Sequence, residues 1–210
     1  GSSPENSSAK ENVGREEKQK PAISEISVQD YEIAQIRQKR SGDAFYDGSL
    51  RSVGRALEKV VRKESPVHVE EAARRAMNRW GFSQLGSRIK SRMSDAVSAL
   101  TSRGMIDRRG DYLWKPGMDT PAVRTRDVPG HSFDTDKIPP AEIRQAVRLL
   151  LKHRAPLLED QIPKETVRLL GFQRAGKTLR SSVEEAVEGL IDGGEIVPGG
   201  YGLKLAEETP

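Results

Sequence analysis

Eight consecutive residues near the C-terminus spell the phosphate-binding motif of P-loop nucleotide hydrolases. The segment from Gly171 to Thr178 matches the pattern G-x-x-x-x-G-K-T at every position. In such enzymes the loop amides hold the nucleotide phosphates and the lysine, here Lys177, reaches the β- and γ-phosphates. This chemistry needs a preceding buried strand and a later apolar run that ends in a metal-binding aspartate, yet only 32 residues follow Thr178. We therefore interpret both glycines as turn residues and predict no nucleotide cofactor.

Other residue types that perform chemistry are sparse. The chain of 210 residues has no cysteine, and its three histidines, His68, His131 and His153, do not have the spacing of metal ligands. Neither a Ser-His-Asp set nor a carboxylate pair stands out, so we assign no catalytic residue, metal or small-molecule substrate. The lack of a long apolar run and of a signal peptide predicts a soluble, cytoplasmic protein without a membrane partner.

The chain contains an internal repeat with an offset of 90 residues. Between 50–114 and 140–204, 13 of 65 positions are identical, against about one in sixteen expected from ordinary composition. The identities are mostly glycines, prolines and apolar residues, such as Leu100 with Leu190. These residue types fix turns and cores, so the repeat predicts one fold used twice. Differences in function must then come from the positions that differ.

Charge is divided unequally between the two copies. The whole chain has a net charge of +4. Residues 50–115 carry 15 Lys and Arg against 7 Asp and Glu, a net charge of +8, whereas residues 140–204 carry 10 against 9, a net charge of +1. The first copy is therefore the candidate for binding a polyanion.

The first copy has the residue pattern of helix, short strand, helix, turn, helix and hairpin. Apolar residues at helical spacing predict a helix from about residue 49 to 63, and Pro66 prevents its continuation. A second helix is predicted over 70–80 and a third over 84–103, followed by a hairpin over 105–114 whose basic turn spans 108–111. This order is typical of a winged helix-turn-helix.

The second copy repeats this order, with its second and third helices predicted over 159–170 and 175–192. We therefore predict a mainly α protein with small β wings, made of two tandem winged helix-turn-helix units. The predicted boundaries are an N-terminal arm, disordered or weakly ordered, over 1–43, unit 1 over 44–116, a linker over 117–139, unit 2 over 140–205 and a tail over 206–210. Residues 29–40, with apolar residues at helical spacing, could form a short arm docked on unit 1 or a mobile polar tail. The short alternating segment 122–126 could lie as an edge strand or run between the units.

The third helix of unit 1 is the candidate recognition helix. The face opposite its apolar stripe carries short polar side chains and a few cations, and two arginines follow in the predicted wing. The candidate DNA-binding residues of unit 1 are Gln84, Ser87, Arg88, Lys90, Ser91, Arg92, Arg108 and Arg109. Short polar groups allow close approach to phosphates and base edges, and a cationic hairpin can bind the adjacent backbone. For the helix alone, a solvated face is an equally good interpretation.

The third helix of unit 2 has a mixed face. Its candidate DNA contacts are Arg174, Lys177 and Arg180 near the start, but Glu184 and Glu185 follow on the same side. Carboxylates facing phosphates repel them. We expect only the first turn of this helix to reach DNA.

Short motifs spread over about residues 50–205 carry a resemblance to a known family. They include Pro66-Val67-His68, Trp80-Gly81-Phe82, Gly86-Ser87-Arg88-Ile89, Gly110-Asp111-Tyr112-Leu113-Trp114, Val123-Arg124-Thr125-Arg126, Ile138-Pro139-Pro140-Ala141-Glu142-Ile143 and Leu170-Gly171-Phe172-Gln173-Arg174-Ala175-Gly176-Lys177. Together they resemble a region near the C-terminus of very large bacterial and archaeal superfamily 1 helicase-like proteins, which often carry a Vsr or restriction-endonuclease-like domain. The resemblance implies a fragment of an ATP-dependent parent enzyme and supplies no catalytic residue.

These observations favour a non-catalytic accessory module that binds duplex or branched DNA, mainly through unit 1, for a larger helicase or nuclease. The alternative is a protein-interaction module that docks on the rest of its parent chain or on a partner. Winged helices serve both purposes, so the fold alone does not decide between them.

Overall fold

The computed structural model describes residues 22–174 and 176–207; half of the predicted N-terminal arm, Ala175 and the last three residues lie outside this part. The described chain is mainly helical with three small sheets. Its helices are α1 (Asp43–Asp47), α2 (Leu50–Glu64), α3 (Val69–Met77), α4 (Ser87–Ser102), α5 (Pro140–Arg154), α6 (Gln161–Leu169) and α7 (Lys177–Asp192). Its strands are β1 (Gln29–Asp30), β2 (Val67–His68), β3 (Asp107–Arg109), β4 (Tyr112–Trp114), β5 (Arg124–Thr125), β6 (Ile196–Gly199) and β7 (Gly202–Leu205).

The repeat is visible in the order of the elements. Helices α2, α3 and α4 and the β3–β4 hairpin of the first copy correspond to α5, α6, α7 and the β6–β7 hairpin of the second. Strand β2 pairs antiparallel with β4 to give the sheet order β2-β4-β3, while in the second copy a single bridge between Leu157 and Leu203 takes its place. The prediction of a mainly α fold with small β elements is confirmed.

Each copy has its own apolar core, built from helical stripes of the kind that the sequence predicts. In the first copy, Val53 and Leu57 of α2 and Met93 and Val97 of α4 are buried against each other and against α3. In the second copy, the corresponding residues of α5 and α7 form the core with α6. The 3.6-residue helical period therefore determines which residues are buried.

The first hairpin is tighter than its sequence suggests. Arg108 and Arg109, predicted to lie in the turn, belong to strand β3, where Arg109 pairs with Tyr112. Only Gly110 and Asp111 remain for the turn, and Gly110 has a φ of +60°. Two-residue turns of type II′ place glycine at this first position because a side chain there would be strained. The predicted basic turn is therefore a basic strand.

Between Ile26 and Arg40 the N-terminal arm is extended rather than helical, and a short 3-10 helix, Ile23–Glu25, precedes this part. Its strand β1 pairs in parallel with β5 of the predicted linker, and the Tyr31 N–H donates to the Thr125 carbonyl at 3.0 Å. Ile26 of the arm is buried in the core of the second copy, whereas Ala34 is buried in that of the first. The arm therefore docks on both copies. Over residues 29–40 its backbone N–H groups bond to the linker, to Glu64 and to Arg79 instead of closing helical turns.

Both segments that precede a unit cross it beside a glycine. The N–H groups of Lys39 and Arg40 donate to the Arg79 carbonyl, and the Arg126 N–H donates to the Leu170 carbonyl. A Cβ on the glycine after this second carbonyl, Gly171 with φ +89°, would lie 2.6 Å from the Arg126 nitrogen. Glycine allows both the left-handed backbone and the close approach of the crossing chain.

Candidate nucleic-acid interface

The outward face of α4 carries polar side chains without internal partners. Gly86 caps the helix without a side chain, while Ile89 and Met93 point into the core. On the opposite side, Ser87 and Ser91 are exposed, as is Gln84 in the preceding turn. Within the described residues, these three side chains make no hydrogen bond. They are therefore available to a ligand at small steric cost.

The three cations of α4 differ in how far they are committed to the protein. The Arg88 guanidinium lies 4.6 Å from the centroid of the Tyr46 ring and stays exposed. The Lys90 ammonium is 3.0 Å from a carboxylate oxygen of Glu70, and the Arg92 guanidinium turns back to donate to the Gly48 carbonyl. Of the three, Arg88 presents its charge to solvent most openly, and Arg92 lies at the core edge as helix geometry predicts.

The acid beside α4 is strongly stabilised in its charged form. Hydrogen bonds from Lys90 and then from Lys137 lower the pKa of Glu70 to about 2. The Lys137 ammonium lies 3.2 Å from Glu70 and also contacts Asp134, so this cluster holds the end of the linker against α3. The charge of Lys90 is therefore neutralised locally by Glu70, which the net charge of +8 already counts.

The two hairpin arginines lie on opposite faces of β3, because neighbouring residues of a strand point in opposite directions. The Arg109 guanidinium stacks at 4.3 Å from the Trp114 ring centroid and donates to the Met118 carbonyl at 3.0 Å. Arg108 uses its Nε to bond the Gly110 carbonyl at 3.0 Å, and both side chains are exposed. Arg108 keeps its terminal nitrogens free within the described residues, so it is the better placed of the two to bind a phosphate.

The candidate cations of the second copy surround the start of α7. Lys177 is the first residue of this helix, and both Lys177 and Arg174 are exposed without an ion pair in the described chain. Arg180 is paired with Glu184 at 2.8 Å. The residues before the G-x-x-x-x-G-K-T segment form α6 rather than the strand that a P-loop requires.

A buried charge network, which sequence reasoning missed, joins the two copies. Glu142, in the first turn of α5, accepts from Arg124 and Arg126 at 2.7 Å each. Although burial alone would raise its pKa, the Arg126 and Arg124 guanidinium groups hold the Glu142 pKa below its ordinary value. Arg124 also donates to the carbonyls of Glu64 and Pro66 in the first copy. The alternating segment 123–126 was the only sequence signal of this joint.

The second buried glutamate ties the arm to the first copy. Glu64, at the end of α2, accepts from the Tyr31 hydroxyl and the Ala34 N–H at 2.9 Å each, and lies 2.7 Å from Arg75. Burial raises the pKa of Glu64, and the charge of Arg75 opposes this effect only in part. Because every polar atom here already serves the fold, we assign the network to structure and not to ligand binding.

The described residues contain no group of three or more His, Cys, Asp or Glu arranged to hold a metal ion. Among these same residues, no helix combines the length and the apolar character needed to cross a membrane.

Residues 43–91, from α1 into the start of α4, match a family described as Protein of unknown function (DUF3320). This stretch begins just before the first copy, covers its first two helices and includes Gln84, Ser87, Arg88, Lys90 and Ser91. No curated protein and no solved structure gives a significant match to the chain.

Proposed function

We propose that this chain is a non-catalytic DNA-binding module of a larger helicase or nuclease, built from two tandem winged helix-turn-helix units. In unit 1, α2, α3 and α4 are the three helices and β3–β4 is the wing; in unit 2, α5, α6, α7 and β6–β7 have these roles. The element order and the small sheets support this assignment. DNA and the rest of the parent chain are the proposed partners, in the bacterial or archaeal cytoplasm.

One observation carries the proposal: the outward face of α4 presents small polar side chains, and exposed arginines lie on this helix and in the hairpin that follows it. Ser87, Ser91 and Gln84 are unpartnered within the described chain, while Arg88 and Arg108 are exposed. Small side chains let a helix enter a groove closely, and arginines at its edge bind the phosphates on either side. The corresponding face of α7 carries Glu184 and Glu185 and is therefore a poorer match to DNA.

The buried joint between the units determines how the proposal is tested. Fragments cut at residues 116 and 138 would lose the crossing segments and their buried arginines, so binding should be compared in the full chain. The test variant is Arg88→Gln with Arg108→Gln, titrated with a duplex of about 20 bp between 50 and 200 mM salt. Each phosphate contact removed should lower the slope of log affinity against log salt by about 0.9.

A matched control removes two cations that already have partners. Arg62 is paired with Glu58 and Arg148 with Glu195, so Arg62→Gln with Arg148→Gln changes net charge equally. We expect the control to keep most of the parent slope and the test variant to lose about two contacts. Equal losses in both would show that only net charge matters, and the interface assignment would be wrong.

The proposed division between the units has its own test. Replacing Arg174 and Lys177 by glutamine should weaken DNA binding less than replacing Arg88 and Arg108, because unit 2 presents carboxylates beside its cations. An equal or larger loss would show that α7 contributes as much as α4.

The second candidate function, protein docking, is favoured by an apolar groove between α2 and α4. Its volume is about 260 Å³, and its lining includes Leu50, Gly54, Leu100 and Met105, the last 40% exposed. If the parent enzyme docks here, Met105→Glu should abolish co-purification with the separately produced remainder of the parent. Ile191→Glu, an equally polar change at a site 36% exposed on α7, should not. Co-purification that survives Met105→Glu excludes this groove.

A further inference from the structure

A basic cleft lies where the N-terminal arm crosses α2 and the 3-10 turn, Asn78–Trp80, that follows α3. It has a volume of about 440 Å³. Eight residues line it: Gln35, Ile36, Arg37, Lys39, Arg55, Ala56, Lys59 and Arg79. Five of them are Lys or Arg, none is Asp or Glu, and none belongs to α4 or to the β3–β4 hairpin. The cleft is therefore separate from the interface proposed above.

Backbone contacts bring these cations together from three parts of the sequence. The Lys39 N–H donates to the Arg79 carbonyl at 3.0 Å, and the Lys59 ammonium donates to the Gln35 carbonyl at 3.1 Å. Arg55 lies one helical turn before Lys59, so both point to the same side of α2. The arm, which lacks any helix over these residues, lays its own Arg37 and Lys39 against that side.

The charge gathered here is not neutralised by the protein. Within the described chain, none of the five cations forms an ion pair with a carboxylate, and the buried Nε of Arg79 has no hydrogen-bond partner. Elsewhere in the structure Lys90 and Arg180 each have an acidic partner. Like charges four residues apart on a helix destabilise it, so an unpaired cluster in a cleft points to a ligand that supplies negative charge.

The second unit shows that the shared fold does not need these cations. The positions 90 residues after Arg55, Lys59 and Arg79 are Gln145, Leu149 and Leu169, all uncharged. The same helices therefore pack without positive charge at any of the three places. The cations are a property of the first copy and not of its core.

We propose that this cleft binds consecutive backbone phosphates of a nucleic acid strand, as a contact independent of α4 and the wing. Phosphates along one strand follow at about 3.4 Å of helix rise, so a cleft of this size with five cations accommodates two or three. The inference rests on the proposed function only in taking nucleic acid as the source of the phosphates. A free polyphosphate offers the same chemistry and is separated from it by the test.

The test compares two triple variants of the full chain with equal loss of charge. The cleft variant is Arg37→Gln with Lys39→Gln and Arg55→Gln, all exposed residues. The control is Arg62→Gln with Arg148→Gln and Lys204→Gln, whose cations are each paired with a glutamate. Both are titrated with labelled single-stranded and duplex oligonucleotides of about 20 nucleotides, from 50 to 200 mM salt.

We expect the cleft variant to lose about 2 to 3 in salt slope and on the order of a hundredfold in affinity at 0.1 M salt, since each contact contributes about 0.9 to the slope. The control should lose less than about one contact. Equal losses would overturn the proposal. If circular dichroism shows that the cleft variant is poorly folded, two other variants replace it. Arg37→Lys with Arg55→Lys keeps the charge and should retain the salt slope. The single variant Arg55→Glu should reduce the slope.

Two further measurements separate the outcomes. In the first, inorganic triphosphate is titrated against the parent and the cleft variant. If only the parent binds it saturably, while both proteins bind DNA equally well, the ligand of the cleft is a free polyphosphate and not a nucleic acid. Arg88→Gln with Arg108→Gln is measured in parallel. Weak binding by the cleft variant alone would refute the α4 interface and support the cleft, and the reverse result would refute the cleft. A full chain that binds no DNA at 50 mM salt would overturn both proposals.

Discussion

In both copies an ion pair joins the first helix to the second, but the acidic and the basic residue exchange places between the copies. In the first, Glu64 of α2 pairs with Arg75 of α3 at 2.7 Å. In the second, the positions 90 residues later are Arg154 of α5 and Glu165 of α6, which pair at 3.5 Å. The side chains are at most 8% exposed in the first copy but 22% and 15% exposed in the second. The ion pair therefore occupies equivalent positions in the two copies, but its charges are reversed and its side chains are more exposed in the second copy.

The residues around each ion pair explain why the first helix supplies the acid in the first copy and the base in the second. Glu64 must accept from the Tyr31 hydroxyl and the Ala34 N–H of the arm. An arginine has no acceptor and could not hold this segment. In the second copy the crossing segment is held elsewhere, by Glu142, so Arg154 has no such duty. The joint between arm, linker and units therefore decides where the acidic residue lies.

The copies also differ in the groove between their first and third helices. In the first copy it is apolar, and its lining includes Glu58 and Met105. The corresponding positions of the second copy are Arg148 and Glu195, which form a two-pronged ion pair at 2.8 Å across the groove. The groove of the first copy is therefore open, whereas the Arg148–Glu195 ion pair spans the corresponding place in the second copy.

The largest effect on stability should come from the joint itself. Glu142→Gln removes the charge that faces two buried arginines, and breaking a buried pair in this way costs about 3–5 kcal/mol. The cost should appear in urea unfolding of the full chain. Glu195→Gln, which breaks an exposed pair, is the control and should cost no more than about 1 kcal/mol. Similar costs would show that the joint is no more important than a surface ion pair.

The effect of Glu142→Gln on the free energy of unfolding should depend on pH. The pKa of Glu142 is lower in the folded state than in the unfolded chain, where it is about 4.3. Its stabilisation is therefore complete above that unfolded value and is lost as the pH falls through the folded pKa. The stability gap between the parent and Glu142→Gln should be widest near neutral pH and narrow in acid. A gap that stays constant below about pH 4 would contradict this.

A smaller difference should separate the two charge-swapped pairs. Arg75→Ala leaves Glu64 buried without its guanidinium partner and should cost about 3 kcal/mol, whereas Glu165→Ala acts on the more exposed pair and should cost about 1 kcal/mol. Urea denaturation of both variants gives the comparison, and double-mutant cycles with Glu64 and Arg154 isolate each pair. If the second pair proves the stronger, burial does not control the difference.

The smallest effect should be a gain. Gly54 lies inside α2, and a Cβ there would meet Leu100 at 3.5 Å, an ordinary contact distance. Gly54→Ala should therefore stabilise the fold by about 0.5–1 kcal/mol through helix propensity. Gly171→Ala is the contrasting variant, because its φ is +89° and its Cβ would lie 2.6 Å from the Arg126 nitrogen. Thermal unfolding should show a rise for the first and a fall for the second; a fall for both would mean that the groove cannot accept a methyl group.

The sequence by itself determined the elements that depend on local patterns. Apolar spacing predicted the three helices of each copy to within a few residues, because a helix buries every third or fourth side chain, but it did not predict α1. Gly171 was correctly interpreted as a turn residue, since its left-handed backbone favours glycine, whereas Gly176 is the N-cap of α7 with a φ of −62°. The offset of 90 residues predicted two copies with a common order of elements. Each of these signals can be read from the sequence without knowing which distant residues are in contact.

Tertiary structure alone decided the features that join distant segments. Residues 29–40 have helical spacing, but they are extended because their N–H groups find partners in the linker, on Glu64 and on Arg79. Arg124 and Glu142 look like surface charges in the sequence, yet they are buried together, since each desolvated charge needs an opposite charge at short range. The basic cleft likewise needs the arm, α2 and the turn after α3 to meet. Local patterns carry no information about which remote segment supplies the partner, and so these contacts required the folded chain.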